Sequence, residues 1–580
     1  MTTSGGLLLV LAVLVPSVGV LAGLALGYRN AHRVALAILP LGLAIAIGIA
    51  AALLRSGGAV VYLLGDWVPP LGVRLRADAP SSIMLIAVAV VMCGIAVYAR
   101  SDFGMPPGAN GSREPFTFWT MLLAVWGSLN LVLVSTDMFT LYVALELLTF
   151  AAVPLVCLDG RGETLRSALR YLLFALLGSV FYLLGVALLY GGYGTLDITL
   201  LAARLRPEAV ALAAAALITT GLLAKTALFP LHIWLPPAHA GAPAAASAVL
   251  SALVIKGSWF LVVRLWFDMM PALASASAMQ LLSALGAAAI VLGNIVALQQ
   301  VRLKLLIAFS TVAQIGYLFL MFALAFDPVS AKLASNGALT GGIVQAVSHA
   351  TAKAAMFMSA GLIYAALGHD RIDGLRGIAR AMPVSVLAFG LAGTALIGFP
   401  SSGAYLAKEL LLAASGQAGQ WWWAVVIQSG GILTASYVVL VLSHTLLPAQ
   451  APILSLPPIP RASETAALAL ALCSLLLGPL PWDVFLPTPV TLSNPLAIKT
   501  LSTALWPVIP GAALAILLGR WERASPFGHA IAMLGPARRA GLALARLMER
   551  ADGSFRQWSI ACLSFLVMVV LLGCALTVAR

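Results

Sequence analysis

The chain has 580 residues, of which 62% are hydrophobic and only 9% are charged, and its mean hydropathy is +1.03. A soluble domain carries about 25% charged residues, so this composition excludes a water-soluble enzyme. Apolar runs of about 20 residues recur along the sequence, which is the length that a helix needs to cross a bilayer. They do not alternate with a period of two, which excludes an outer-membrane β-barrel. We therefore predict an all-α, polytopic membrane protein.

The net charge is +13, with 33 Lys and Arg against 20 Asp and Glu. In a membrane protein this excess reflects basic residues that accumulate in cytoplasmic loops, so it does not indicate a nucleic-acid partner. The five cysteines are odd in number and form no CxxC motif, so they indicate neither a disulfide framework nor an iron–sulfur or zinc site. We expect no metal and no cofactor in this chain.

Sixteen candidate transmembrane spans follow one another along the sequence. In chain order they cover residues 6–28, 34–54, 81–100, 116–135, 137–158, 167–191, 208–235, 242–264, 278–298, 303–326, 337–367, 383–413, 421–446, 464–486, 496–519 and 558–579. They divide the chain into an N-terminal three-helix segment, two five-helix blocks, C-terminal spans, a basic segment and a final anchor. The predicted bounds of these parts are 1–115, 116–264, 278–446, 447–519, 520–557 and 558–580.

Basic residues decide the predicted orientation. If the N-terminus is outside, the inside loops hold twenty Lys and Arg and the outside loops hold nine. We therefore predict a protein of the bacterial inner membrane with both termini on the outer side. Seven of the twenty lie between residues 520 and 557, so the bias is weaker without that segment.

The two five-helix blocks look like one unit used twice. A shift of 170 residues places span 167–191 on 337–361 and Phe229-Pro230 on Phe399-Pro400. Because each block has an odd number of spans, the second enters the membrane from the opposite side, which gives the inverted repeats common in transporters. A chance match remains the alternative.

Spans seven and twelve are predicted to be broken helices. Three prolines interrupt residues 223–237, and the sequence Gly-Phe-Pro-Ser-Ser-Gly occupies 398–403. Unwound backbone at membrane depth is tolerated only where protein buries it or where it lines a hydrated cavity. With Lys225 and Lys408 close to the breaks, we expect two polar pockets in mid-membrane. Simple packing kinks are the alternative.

Four of the seven lysines lie deep within predicted spans, away from the span ends, namely Lys225, Lys256, Lys353 and Lys408. A lysine near the centre of a bilayer costs at least about 2.5–3.5 kcal/mol and is a functional candidate by default. Glu146 is the only acid deep in the first block and is the natural partner of Lys225. The alternatives are snorkelling lysines and a protonated glutamic acid bonded to its own helix.

Two histidines extend this set of ionisable residues. His349 lies one helical turn before Lys353 and shares its face, while His232 follows Lys225 by about two turns. A purely structural role is the alternative for each histidine. The predicted ion pathway comprises Glu146, Lys225, His232, Lys256, His349, Lys353 and Lys408, a row suited to lateral proton transfer. Since the sequence contains no Walker loop, serine elbow or HExxH, ATP-driven transport and intramembrane hydrolysis have no support.

Residues 224–239, Ala-Lys-Thr-Ala-Leu-Phe-Pro-Leu-His-Ile-Trp-Leu-Pro-Pro-Ala-His, resemble the broken-helix signature of the proton-conducting antiporter-like subunits. Such subunits occur in respiratory complex I, in membrane-bound hydrogenases and in Mrp sodium/proton antiporters. Further matches follow in the expected order: the Glu146 helix, residues 310–317, the helix of His349 and Lys353, and Gly398-Phe-Pro400 before Lys408. The segment 65–78 looks most like the Mrp D-type subunit and its hydrogenase relatives.

The resemblance implies a fourteen-helix core with inverted repeats. It also implies that Glu146 and Lys225 form a switchable ion pair, that Lys256, His349 and Lys353 carry protons laterally, and that Lys408 ends the path on the exit side. The chain would be an ion-translocating subunit of a larger membrane complex, most similar to Mrp antiporters. A proton-pumping subunit of a redox complex is the second possibility, and a non-transporting scaffold is a third of another class.

Residues 520–557 depart from the fourteen-helix pattern. They combine arginines with apolar residues, which is typical of an interfacial amphipathic helix. This segment and the final span resemble the lateral helix and anchor of the longest complex I antiporter-like subunit. A surface patch for anionic lipids is the alternative. The expected partners are therefore other membrane subunits, the transported protons or sodium ions, and anionic lipids; any electron chemistry belongs to partner subunits.

Overall fold

The computed structural model describes residues 2–104, 113–334, 337–449, 458–486, 506–518 and 535–578. Within these ranges the chain is mostly helical, and thirteen helices are long and apolar enough to cross a membrane. The remaining regular structure includes two short antiparallel hairpins. The prediction of an all-α, polytopic membrane protein is confirmed.

The helices and strands can be grouped by the predicted parts of the chain. The N-terminal part contains α1 (Leu7–Leu26), α2 (Ala31–Ser56), β1 (Val60–Leu63), β2 (Arg74–Ala77) and α3 (Ala79–Asp102). The first block contains α4 (Arg113–Val134), α5 (Met138–Val156), α6 (Gly162–Tyr193), α7 (Ile198–Arg204), α8 (Ala209–Thr226), α9 (Leu235–Gly241) and α10 (Ala244–Met269). The second block contains α11 (Ala276–Leu298), α12 (Leu303–Ala325), β3 (Phe326–Asp327), β4 (Lys332–Leu333), α13 (Gly337–Leu367), α14 (Ile378–Ala381), α15 (Pro383–Ile397), α16 (Gly403–Gln417) and α17 (Trp421–Leu446). The C-terminal part contains α18 (Arg461–Leu475), α19 (Val508–Leu518), α20 (Gly535–Phe555) and α21 (Trp558–Val578).

The thirteen long helices correspond to thirteen of the sixteen predicted spans. Of the other three, span twelve is the pair α15 and α16, and span fourteen contains the shorter helix α18. Span fifteen contributes α19, while its residues 496–505 and 519 lie outside the described residues, as does the 520–534 part of the basic segment. The count of sixteen spans therefore stays a prediction.

Both predicted helix breaks are present. Helix α8 ends at Thr226, where Ala227 takes a left-handed backbone conformation with φ of 58°, and α15 ends at Ile397, followed by Gly398 with φ of 104°. After each break the chain resumes as a second helix, α9 or α16. Because the last carbonyl groups of a helix have no partner within it, each break offers backbone acceptors in the interior of the protein.

The two blocks also share a backbone connection. In each, residues just before the second helix pair with residues just after the third helix. The four hydrogen bonds run from Met138 N–H to the Leu196 carbonyl (3.0 Å), from Ile198 N–H to Thr136 (2.8 Å), from Leu303 N–H to Asp370 (2.7 Å) and from Ile372 N–H to Val301 (2.9 Å). This correspondence supports the predicted repeat, whose inverted orientation in a membrane stays a prediction.

Helices α10, α12 and α13 form the interior of the molecule. The apolar stretches of α10 and α12 are almost completely buried, and in α13 every residue from 337 to 363 is buried. By contrast, α1 and α21 lie at the periphery, and only 28% of the most apolar stretch of each is buried. Three of the four candidate lysines are on or beside the interior helices: Lys256 on α10, Lys353 on α13 and Lys225 on the neighbouring α8. The candidate site is thus built at the centre of the fold.

A pair of glycines brings α6 and α8 together. A Cβ atom added to Gly178 would lie 2.8 Å from the carbonyl oxygen of Gly221, and one added to Gly221 would lie 2.3 Å from that of Gly178. Small residues of this kind allow transmembrane helices to approach closely. The contact holds α8, and with it Lys225, against α6.

We predict that Gly178→Ala lowers the stability of the protein and that Gly191→Ala does not. The first substitution overpacks a backbone contact, which typically costs about 1–3 kcal/mol. The second lies on the same helix with no atom within 4 Å of the new Cβ, and alanine is the better helix former by up to about 1 kcal/mol. Thermal unfolding of the purified protein in detergent measures both. Equal unfolding temperatures for the two variants would contradict the proposed close contact.

Candidate functional site

Glu146 and Lys225 form a buried ion pair between α5 and α8. The Lys225 Nζ atom lies 3.1 Å from Glu146 Oε1 and 3.1 Å from the Thr149 hydroxyl oxygen, and it donates to both. The Ser179 hydroxyl on α6 donates to the same carboxylate oxygen of Glu146. Only 6% of the Lys225 side chain and 13% of the Glu146 side chain are exposed. The carboxylate is thus held by a cation and a hydroxyl from two different helices.

A small cavity extends from this pair towards α10. Its volume is about 10 Å³, and Thr149, Tyr171, Lys225 and Ser258 are among the residues that line it. This is close to the smallest volume that holds one water molecule. The Ser258 hydroxyl also accepts a hydrogen bond of 3.0 Å from Thr226, the residue after Lys225. Polar atoms therefore continue from the ion pair to the helix that carries Lys256.

Lys256 is fully buried and meets a carbonyl group of its own helix. Its Nζ atom donates to the Ser251 carbonyl oxygen at 2.6 Å. Ser251 lies in a π-helical turn, Leu250–Val254, a feature that is frequent at functional sites. The Ser251 hydroxyl is 2.9 Å from that of Thr311 on α12. Lys256 is thereby connected to α12 through one residue.

Lys353 contacts the same part of α12. Its Nζ atom is 2.5 Å from the Ser310 hydroxyl oxygen and 3.3 Å from the Ile307 carbonyl oxygen, and it donates to both. Since Ser310 and Thr311 are adjacent in sequence, the two hydroxyl groups lie between Lys256 and Lys353. His349 is fully buried one turn before Lys353, and neither ring nitrogen has a hydrogen-bond partner among the described residues.

Lys408 ends the row at the second helix break. Its Nζ atom donates to the carbonyl groups of Leu396 (3.2 Å) and Ile397 (2.8 Å), which are the last two residues of α15. A cation at this end of a helix is favoured by the helix dipole. The ammonium group also lies 5.1 Å from the centre of the Tyr317 ring. Lys408 is thus stabilised by backbone and by an aromatic ring, and Lys225 by a carboxylate.

One face of α12 connects Lys353 with Lys408. Ser310, Gln314 and Tyr317 recur at helical spacing and so share that face. Ser310 contacts Lys353, Gln314 donates to the Thr434 hydroxyl at 3.2 Å, and Tyr317 lies beneath Lys408. From the sequence alone, residues 310–317 are recognisable only as a family motif. In the structure they line the space between the two lysines.

His232 has a partner that the sequence did not reveal. Its Nε2 atom lies 2.7 Å from Asp552 Oδ1 on α20, and both side chains are 3% exposed. The second oxygen of Asp552 is 2.9 Å from Nε of Arg556, whose guanidinium group stacks on the Phe309 ring at 5.6 Å. The C-terminal end of the basic segment is therefore docked into the protein at the first helix break. The one sequence feature that could have indicated this contact is the presence of an acid, Asp552, in a segment rich in arginine.

The structure also buries two basic residues that the sequence did not single out as candidates, His239 and Lys304. The structure leaves His239 fully buried and Lys304 only 6% exposed. Both lie at span edges, where hydropathy does not determine burial.

The chain is similar in sequence and in fold to several known proteins. The profile of a protein family described as NADH:quinone oxidoreductase/Mrp antiporter, TM, matches residues 135–434, just over half of the chain. NADH-quinone oxidoreductase subunit N of Desulforudis audaxviator is 34% identical over 418 residues, which cover 71% of this chain and 80% of that protein. The D-type subunit of the Na(+)/H(+) antiporter of Alkalihalophilus pseudofirmus is 25% identical over 366 residues, covering 62% and 70%. A chain in the solved structure of the Mrp complex from Dietzia sp. has the same fold, with a TM-score of 0.71 and 24% identity over 93% of this chain and 99% of that one.

We predict that Asp552→Ala loosens the C-terminal end of α20. Removing one partner of a buried pair costs about 3–5 kcal/mol, so the locally opened form should become roughly a hundredfold or more populated. Hydrogen–deuterium exchange of the α20 amides measures this change. Arg550→Ala, at an exposed position on the same helix, is the control and should leave exchange unchanged. The docking contact would be refuted by equal exchange in the two variants.

Proposed function

Because the chain belongs to the NADH:quinone oxidoreductase/Mrp antiporter family of transmembrane subunits, we propose that it is an ion-translocating subunit of a multisubunit membrane complex. Its transported ion is the proton, which moves laterally between the two blocks. The observation that carries this proposal is the buried row of Lys225, Lys256, Lys353 and Lys408, in which polar groups lie between successive members.

The Glu146–Lys225 pair controls the first step of the proposed transfer. While the carboxylate stays beside the ammonium group, the pair is electrically balanced and Lys225 keeps its proton. When Glu146 is neutralised or withdrawn, an unpaired ammonium remains at a depth where charge is expensive. The proton of Lys225 then passes towards Lys256 through the small cavity and the Ser258 hydroxyl.

The remaining steps use the groups on and around α12. A proton on Lys256 reaches Lys353 through the hydroxyl groups of Thr311 and Ser310, and His349 stands one turn away as a further carrier. From Lys353 the path follows Gln314 and Tyr317 to Lys408. His232 belongs to this path only indirectly, since its side chain is engaged by Asp552.

The proposed function can operate in either of two kinds of membrane complex. In the first, the chain works in an Mrp-like sodium/proton antiporter, as the name of the antiporter relative suggests. In the second, it is a proton-pumping subunit of a redox complex, which the higher identity to a NADH-quinone oxidoreductase subunit favours. Proton uptake by vesicles that contain the whole complex distinguishes them: a sodium gradient drives it in the first form, and only the redox reaction drives it in the second.

The proposed setting is the cytoplasmic membrane, with both termini on the outer side. Other membrane subunits are the partners, and the arginines of α20 approach anionic lipid headgroups at the surface. Helix α20 combines exposed Arg546 and Arg550 with exposed Leu544 and Leu547, which is the composition of a helix lying in the interface.

We predict that Lys225→Met and Glu146→Gln each abolish ion translocation in the assembled complex. In Lys225→Met the carboxylate of Glu146 loses its cation and is expected to take up a proton, which an infrared carboxyl band would reveal at neutral pH. The double variant should be about as inactive as either single variant, because groups that act as one unit are strongly non-additive.

Lys332→Met is the matched control for this experiment, since Lys332 is exposed at the surface and should tolerate the change. Transport is measured in vesicles reconstituted with each complex, normalised to the amount assembled. Full transport with Lys225→Met would remove the pair from the mechanism and would favour the scaffold alternative.

We also predict that changing Arg538, Arg539, Arg546 and Arg550 together to glutamine weakens assembly or surface association more than transport. The change removes four positive charges near the membrane surface, each worth about 1 kcal/mol with anionic lipid. The amount of complex recovered from membranes with and without anionic lipid measures association. Normal recovery combined with lost transport per complex would contradict the prediction.

A further inference from the structure

Three arginines lie together at the end of the molecule where α1 ends and α2 begins. Only residues 27–30 connect these two helices. Arg29 is in this connection and Arg33 is in the first turn of α2, while Arg100 is in the last turn of the neighbouring helix α3. The charges of Arg33 and Arg100 both act on the ring of His32. We call Arg29, His32, Arg33 and Arg100 the basic patch.

The arginines of the basic patch form no ion pair with any residue that the structure describes. All three are exposed, and no side-chain hydrogen bond to another described residue satisfies them. Arg29 stacks on the neighbouring Tyr28, with its guanidinium group 5.7 Å from the ring centre. Asp102 is the acid nearest to Arg100 in sequence, but it accepts a hydrogen bond from Ser101 instead. Because neighbouring like charges repel each other, the patch favours an anion from outside the chain.

The backbone that carries the basic patch is held in place by its own contacts. The Phe103 carbonyl, just beyond the end of α3, accepts a hydrogen bond of 3.0 Å from the Trp119 indole on α4. The rings of Phe103 and Phe118 stack with their centroids 4.2 Å apart. At the end of α1, Gly27 takes a left-handed conformation with φ of 75°, and its N–H donates to the Gly23 carbonyl at 3.1 Å. An anion at the patch therefore meets a preformed arrangement, which lowers the entropic cost of binding.

An exposed apolar surface lies directly next to the basic patch. Leu21, Leu24 and Leu26 are exposed on the last two turns of α1, and Tyr28 follows them with its ring partly exposed. The same helix is among the least buried candidate spans of the described chain. An aromatic ring between an apolar helix surface and basic residues is typical of the place where a transmembrane helix leaves the hydrocarbon core. The arginines therefore lie at the level of the lipid phosphate groups.

We propose that the basic patch binds the phosphate group of an anionic glycerophospholipid, whose acyl chains lie along the exposed leucines of α1. This inference goes beyond ion translocation, since it concerns a lipid bound to the N-terminal helices. Guanidinium groups bind phosphate oxygens through paired hydrogen bonds, and basic pockets between transmembrane helices recognise lipid headgroups. An acidic segment of a partner subunit would match only the charge, whereas a phospholipid matches both the charge and the apolar surface beside it.

The first test measures which lipid lies next to the patch. In a chain whose five native cysteines are replaced by alanine, Leu24→Cys carries a fluorescent label just below the arginines. The whole complex is reconstituted in vesicles in which a brominated lipid quenches the label. We expect brominated phosphatidylglycerol to occupy this position about fivefold more tightly than brominated phosphatidylcholine, or more, because one surface arginine alone contributes about this factor.

The second test removes the arginines. Arg33→Gln should lower the preference for phosphatidylglycerol severalfold, and glutamine at Arg29, Arg33 and Arg100 together should abolish it. Lysine at the same three positions keeps the charge, so it should keep most of the preference. Arg55→Gln is the matched control, because Arg55 is exposed in the last turn of α2, at the other end of the same helix. Equal preferences in Arg33→Gln and Arg55→Gln would overturn the proposal.

Three further outcomes would also overturn it, each for a different reason. Equal quenching by the two lipids in the parent chain would show that the arginines are only solvated surface charges. Quenching by neither lipid would show that a partner subunit covers the patch. Displacement of phosphatidylglycerol by inorganic phosphate, but not by chloride of the same ionic strength, would show that the site takes a free anion. Because none of these measurements uses transport, they stay valid if the proposed function is wrong.

Discussion

The constraint on which this structure depends is the placement of ammonium groups where water cannot solvate them. A lysine near the centre of a bilayer costs several kcal/mol unless something replaces its hydration. Each of the four central lysines has a different replacement: a carboxylate for Lys225, a carbonyl of a π-turn for Lys256, a hydroxyl for Lys353 and the end of a helix for Lys408. The elements of the interior are arranged around these four acceptors.

Irregular backbone supplies two of those acceptors. In a regular helix each carbonyl group is used by an N–H four residues later, so none is free for a side chain. The break after α15 leaves the carbonyl groups of Leu396 and Ile397 for Lys408, and the Ser251 carbonyl of the π-turn accepts a hydrogen bond from Lys256. If these two segments were only packing kinks, there would be no reason for a lysine ammonium group to contact each of them, as Lys256 contacts the π-turn and Lys408 contacts the break after α15. Local unwinding and buried charge therefore occur together because one stabilises the other.

The sequence allowed the helices and the lysines to be predicted, because both are local properties. A run of 20 apolar residues defines a span by length, and a lysine within it is visible without any knowledge of packing. The contact between His232 and Asp552 joins residues 320 positions apart, and it depends on how α20 folds back, which no local pattern specifies. The burial of Lys304 and His239 could not be predicted for a related reason: at a span edge, burial is decided by which loops cover the residue. The position of residues 310–317 between Lys353 and Lys408 could be seen only in the structure, because it depends on how α13 and α16 pack against α12.

The groups that stabilise the two end lysines of the row, Lys225 and Lys408, differ in whether they can change their charge. The proposed path can therefore be controlled at one end only. The partner of Lys225 is a carboxylate, which can gain a proton and so change its charge by one unit. Lys408 is held by the carbonyl groups of α15, whose dipoles are fixed by the backbone and do not titrate. The electrostatic field can therefore be switched at Glu146 but not at Lys408. Glu146 is also the more exposed member of its pair, on a helix that displays Phe139 and Leu147 at its surface. In the proposed path, a partner subunit acts on Lys225 by changing the charge of Glu146, whereas the field of the α15 carbonyl groups at Lys408 stays constant.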